Sequence, residues 1–181
     1  MGRVLRIQRI ANLLYYAGEY AFMMVIPCAP PSGAWRWVLR FPILLYRLKL
    51  GFLVSQSVLL LTTTGRETGR PRVAAVGYIQ DRATGGLYLT AGWKGESHWY
   101  RNVIANPRVR VQLGRHGFEG IATPAPEDAA MNVIEEYNQR NPFGPRIWER
   151  WTREPFDGSA KAVRAVLTHF PVLELRRLKA G

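Results

Sequence analysis

From Gly51 onward the chain alternates between short strand-like runs and turns marked by glycine, and this rhythm limits the fold more than any other feature. Residues 57–64 (SVLLLTTT) form a β-branched and leucine-rich run, 65–71 (GRETGRP) a turn, and 72–80 (RVAAVGYIQ) a return strand. A second turn at 81–86 leads to a third strand, 87–91 (LYLTA). Ser97 stands where an N-cap belongs, ahead of a short helix over 98–105 that ends at Asn106–Pro107. Its buried side is expected to hold Trp99 with Val103 and Tyr100 with Ile104. Residues 108–113 (RVRVQL) alternate cleanly, turn through 114–117 and return over 118–123. Helices are expected at 126–139, with Ala130, Val133, Ile134 and Tyr137 inward, and at 145–151 and 159–169, before a closing strand at 170–175. Six strands, a short helix between the third and fourth, and helices appended late predict a small antiparallel barrel of α+β, mainly β, class. Residues 1–50 read as a helical arm and 51–181 as the barrel domain.

The arm is where the charge is densest. The whole chain carries a formal +12, which calls for an anionic partner without naming one. Residues 1–50 hold Arg3, Arg6, Arg9, Arg36, Arg40, Arg47 and Lys49 against one acid, Glu19. The uncharged stretch between Glu19 and Arg36 contains three prolines and falls short of the ~20 apolar residues a membrane span requires. No small-residue cleavage site follows the basic start, so a secretory leader is not expected. Ile7, Ile10, Leu14, Ala17 and Ala21 recur at helical spacing opposite Arg9, Asn12, Tyr16 and Glu19. Further on, Arg36, Arg40 and Arg47 fall within about 40° of one another on a helix, beside Trp37, Phe41, Leu44, Leu45 and Leu48, with Pro42 dividing or kinking it. Such a pattern suits a helix lying in an anionic membrane surface; it suits equally an arm packed on its own barrel or on a second subunit.

Much chemistry is excluded. The single cysteine, Cys28, rules out an internal disulfide, and His98, His116 and His169 lack ligand-spaced partners, so no metal is expected. There is no G-x-G-x-x-G, no P-loop and no G-x-S-x-G elbow. The basic charge lacks a recognition-helix or RNP signature, so no nucleic acid partner is expected. Two clusters remain. The turn TTTGRETGRPR (62–72) gathers Arg66, Arg70 and Arg72 at one rim, where guanidinium forks match phosphate oxygens. The segment AGWKGESHWYRN (91–102) leaves a strand through two glycines and Lys94 and enters a helix N-terminus, with Trp93 and Trp99 placed to flank a flat ring.

Taken together, LLLTTTGRETGRPR, the GY that follows, AGWKGES and WYRNVIANPRVRVQ resemble the deazaflavin-dependent nitroreductase family, small split β-barrel oxidoreductases that bind coenzyme F-420. The resemblance implies a six-stranded antiparallel split β-barrel, with an N-terminal helical arm and C-terminal helices. It also implies hydride transfer from the reduced coenzyme to a quinone, nitro or other activated apolar acceptor at the membrane surface. Arg66, Arg72 and Lys94 would then hold the phosphate and acidic tail. The backbone of Gly92 to Gly95, with Trp93, would lie along the ring, Trp99 and Asn102 would support that wall, and Tyr137 would face the acceptor. FMN is the less favoured cofactor, because both basic clusters match the deazaflavin pattern. A cytoplasmic protein, peripheral to the inner face of the membrane, is implied, with room for a homodimer. The departure from the family is Glu67, where a basic residue is usual. A carboxylate beside an anionic tail costs about 1 kcal/mol at 4 Å in a water-like dielectric, and Arg70 is the expected compensating neighbour. Glu67 and the long arm also fit an alternative, a non-catalytic lipid- or fatty-acid-binding member of the same fold.

Overall fold

The computed structural model describes residues 2–178, with side chains described from Asn12 onward. Strands β1 (Val58–Thr64), β2 (Pro71–Gln80), β3 (Leu87–Thr90), β4 (Arg108–Leu113), β5 (His116–Pro124) and β6 (Val172–Arg177) close into an antiparallel barrel in the order β1-β2-β3-β6-β5-β4. Closure is made where β4 returns to β1, pairing Leu61 with Val111. The alternation in β4 sets its register: Val109 and Val111 point inward while Arg108 and Arg110 stay in solvent. Leu59, Leu61, Leu89, Val111 and Leu173 fill the interior and are fully buried.

Helix α4 (His98–Ala105) crosses between β3 and β4. Val103 enters the interior as expected, but Ile104 is 52% exposed and Asn102 is buried in its stead. The reason is polar: this end of the barrel offers the Thr63 hydroxyl, to which the Asn102 amide donates at 3.2 Å. Outside the barrel, α5 (Glu127–Arg140), α6 (Gly144–Thr152) and α7 (Ala160–His169) form a second core around Ile134, Ile147, Trp148, Trp151, Val166 and Phe170, with Ile79 of β2 as the barrel's contribution. Helix α7 is capped as its sequence suggests, the Ser159 hydroxyl accepting from the Ala162 N–H at 3.2 Å.

The arm comprises α1 (Gly2–Val25), α2 (Trp35–Val38) and α3 (Phe41–Arg47), and Pro42 sits in the first turn of α3, so the helix is divided ahead of it and not kinked. Helix α1 packs on α6. Ile7, Ile10 and Arg9 lie outside the described side chains; of the apolar stripe Leu14 and Ala21 are exposed and Ala17 is partly buried, and of the polar stripe Asn12 is exposed while Tyr16 and Glu19 are partly buried. The inward face is amphipathic: Tyr20 stacks on Phe143 at 5.2 Å, and the Glu19 carboxylate accepts from Asn141 Nδ2 at 3.1 Å. Large rings with polar tips bury more area here than two alanines would, and they satisfy the fully buried Asn141. At its far end the arm is tied to the barrel by Tyr46, which donates to the Val58 carbonyl at 2.8 Å and accepts from the Gly114 N–H at 3.3 Å. Among the described residues no helix is long and apolar enough to cross a membrane.

Burial pushes the Glu19 carboxyl from its ordinary 4.5 up to about 7, against the opposing effect of its hydrogen bond with Tyr137. A folded value above the unfolded one means that its contribution to stability is complete below about pH 4.5 and is lost as the pH rises through about 7. Amide exchange in the second half of α1, corrected for intrinsic rate, is expected to quicken over that window, and Glu19→Gln is expected to flatten the response. A wild-type response in Glu19→Gln would remove Glu19 as its cause.

Candidate active site

The site is built where the β1–β2 turn, the β3–α4 connection and the α2–α3 corner meet. The turn is closed by the Gly65 N–H donating to the Arg70 carbonyl at 2.9 Å and the Gly69 N–H to the Gly65 carbonyl at 2.7 Å. Gly69 takes φ +64°, which a side chain rarely adopts. Asn102 fixes this turn against α4: its Oδ1 accepts from the Arg66 N–H at 3.2 Å and from Arg66 Nη1 at 3.3 Å. Glu67 pairs with Arg66 at 2.8 Å, so the compensating partner is Arg66 and not the expected Arg70. Glu67 is largely in solvent, which limits the value of that pair to well under about 1 kcal/mol.

The β3–α4 connection is the strained element. Trp93, Lys94 and Gly95 stand at φ 56°, 53° and 74°, a left-handed turn with two non-glycine residues in it. Each of those costs about 1–2 kcal/mol. The turn is held by the Trp93 indole N–H, which donates to the Pro27 carbonyl at 3.0 Å, and by an edge contact of Trp93 with Trp151 at 5.9 Å. Gly95 is obligatory, because a Cβ there would lie 2.8 Å from the Tyr100 ring.

These segments enclose a cavity of about 600 Å³, within the ~300–1,000 Å³ typical of ligand pockets. Of the residues singled out by sequence, Arg66, Arg72, Trp93, Trp99 and Asn102 line it. Gly92 and Gly95 shape the loop behind Trp93, and neither lines the cavity. Lys94 is exposed and also lies outside the lining. Tyr137 is not brought to the cavity. It lies in the helical layer beneath α1, its hydroxyl bonded to Asn141 at 2.7 Å and to Glu19, its ring tilted on Trp148 at 5.3 Å, and burial pushes it well above the ordinary tyrosine value.

Two contributions escaped sequence reasoning. From the arm, Pro30, Pro31, Arg36, Leu39 and Arg40 line the cavity, bringing two more arginines to Arg66 and Arg72. Ser97 holds the N-cap position of α4 with φ −62° and ψ 139°, yet its side chain makes no capping bond. Its Oγ is buried without a partner, at the cavity wall. A buried hydroxyl left unpaired costs about 1–3 kcal/mol, a cost that a bound ligand would remove. The donor set is thus cationic and hydroxylic beside two indoles, and it fits an anion attached to a flat ring. Among the described residues no group of three or more His, Cys, Asp and Glu side chains is placed to hold a metal ion.

Replacing Asn102 with alanine leaves Thr63 and the Arg66 turn without their shared partner. Asn102→Ala is expected to lower unfolding free energy by about 1–3 kcal/mol in denaturant titration; an unchanged midpoint would remove Asn102 as the brace of this wall.

Residues 47–144 match the F420H(2)-dependent quinone reductase family. Over 93 residues the chain is 34% identical to the F420H(2)-dependent quinone reductase of Mycobacterium tuberculosis strain H37Rv, a span covering 47% of this chain and 60% of the relative. The same figures hold for the protein of that name from Mycobacterium tuberculosis strain CDC 1551, so the chain spans about 60% of the length of these relatives. A solved F420-H2 dependent reductase, FDR-A, superposes over 67% of this chain and 95% of its own with a TM-score of 0.47 and 22% identity, too distant to add to the argument. On the family match over more than half its length, the chain belongs to the F420H(2)-dependent quinone reductase family.

Proposed function

We propose that this protein is a deazaflavin-dependent oxidoreductase that passes hydride from reduced coenzyme F-420 to a quinone or similar activated apolar acceptor at a membrane surface. The observation that carries the reading is one cavity lined by the Arg72 side chain, the partnerless Ser97 hydroxyl, Trp93 and Trp99. The bound coenzyme supplies the hydride chemistry, and the chain supplies binding, orientation and exclusion of water. Arg72 is in no ion pair among the described residues, so its fork is available for phosphate. Arg66, held by Asn102 and Glu67, has a fixed position and a partly neutralised charge. The indoles of Trp93 and Trp99 offer flat apolar faces to a ring. No side chain of this wall is required as an acid, since a reduced quinone or nitro oxygen takes its proton from water.

The membrane part of the proposal rests on the arm. Leu14, Val25, Trp37, Phe41, Leu48 and Leu53 are each more than half exposed, and Arg36, Arg40, Arg47 and Lys49 are interspersed among them. Exposed apolar residues of this density, interleaved with cations, suit the interface of an anionic bilayer. A second copy of the chain is the competing cover for the same face. The Arg66–Glu67 pair favours one other reading, a non-catalytic lipid or fatty-acid carrier; copurified acyl chains with no coenzyme affinity would decide for it.

Arg72→Ala is expected to weaken coenzyme binding by about 1.5–3 kcal/mol, the range for a charged hydrogen bond. Fluorescence titration with the oxidised coenzyme reads this directly, and unchanged affinity would withdraw the phosphate role. Separately, Trp37→Ser with Phe41→Ser is expected to cut partitioning onto anionic liposomes several-fold. Undiminished partitioning would move the membrane contact elsewhere, and loss of a dimer in sedimentation velocity would assign the face to a second copy.

A further inference from the structure

The cavity is cationic from two sides. Arg66 and Arg72 come from the barrel turn, and Arg36 and Arg40 come from the α2–α3 corner, which lies outside the family-matched residues 47–144. The corner is seated by Trp35 and Leu39, which pack against the helical-layer core four residues apart. Arg36 and Arg40 each follow one of these anchors, and both line the cavity. Among the described residues neither is in an ion pair. Four guanidinium groups lining a cavity of about 600 Å³ repel one another, and the lining acids Glu67 and Glu96 balance only half of that charge. An anion of more than one charge removes the repulsion, and guanidinium forks match phosphate and carboxylate oxygens alike.

We propose that Arg36 and Arg40 complete the coenzyme site by gripping the anionic tail, so that the arm is a wall of the binding site as well as a surface element. The proposal rests on the coenzyme reading above and extends it to residues outside the family segment. The tail is held between the barrel turn and the arm, while the ring lies toward Trp93 and Trp99. Trp93 also bonds the arm at Pro27, so ring wall and tail clamp share one support.

The test uses the full chain and two probes, oxidised coenzyme F-420 and the same deazaflavin without its phosphate and glutamate tail. Arg36→Gln with Arg40→Gln is expected to weaken binding of the full coenzyme by about tenfold or more while leaving the tailless probe at wild-type affinity. Arg47→Gln, a cation of the same arm that does not line the cavity, is expected to match wild type on both probes. Equal affinity of the double variant and wild type for the full coenzyme would overturn the proposal. So would an equal loss on both probes, because the corner would then support the ring or the fold. If wild type binds neither probe, the coenzyme reading fails and the proposal with it, a pattern distinct from the other two.

Discussion

The buried side-chain amide of Asn102 joins the three parts of the molecule that make the site. Its nitrogen donates to Thr63 at the end of β1, and its oxygen accepts twice from Arg66 on the β1–β2 turn. Its backbone belongs to α4, the helix that closes this end of the barrel. A buried amide survives only when satisfied, so the register of β1, the position of the arginine turn and the docking of α4 are set together. The cavity follows from that constraint, because Arg72 stands opposite Thr63 across the β1–β2 ladder and Trp99 stands three residues before Asn102 on the helix.

The part of the lining that Trp93 supplies depends on a costlier device. A left-handed turn through Trp93 and Lys94 persists because the surroundings hold it: an indole hydrogen bond to Pro27, a tryptophan edge contact and a glycine pressed against Tyr100. Trp93 of this turn lines the cavity, and Lys94 is exposed outside the lining. The turn also makes the arm a structural partner of the site, since Pro27 is the residue at which α1 gives way to the segment leading to Arg36. Tyr46 also links arm to barrel, so the cavity-lining arm residues, Pro30 to Arg40, lie along the chain between fixed attachments at Pro27 and Tyr46.

The barrel was largely legible because its signals are local. Alternation in RVRVQL, the GRETGRP turn and the N-cap before α7 each specify their element without help from the rest of the chain. The arginine turn and the tryptophan wall were legible for the same reason, as both lie in short contiguous segments. What was not legible depends on tertiary choice. Which stripe of α1 packs was left open by its periodicity, and it is decided by Asn141 and Phe143, which supply partners for Glu19 and Tyr20. Tyr137 was assigned to an acceptor when its hydroxyl is engaged by Asn141 and Glu19 beneath α1. Lys94 was misplaced because nothing in its sequence announces a positive φ. Arg36 and Arg40 were visible as a basic face, but their position at the cavity is set by Trp35 and Leu39 packing on helices a hundred residues away.

On the proposal above, the arm and the barrel are two halves of one binding site, with Asn102 bracing the arginine turn and Trp93 joined to the arm at Pro27. Hydrogen–deuterium exchange of the full chain, with and without saturating oxidised coenzyme F-420, tests this most directly. Slowed exchange appearing together at residues 34–41, 65–72 and 93–102 is the result the account requires. Protection confined to 65–72 and 93–102, with 34–41 unchanged at saturation, would contradict it.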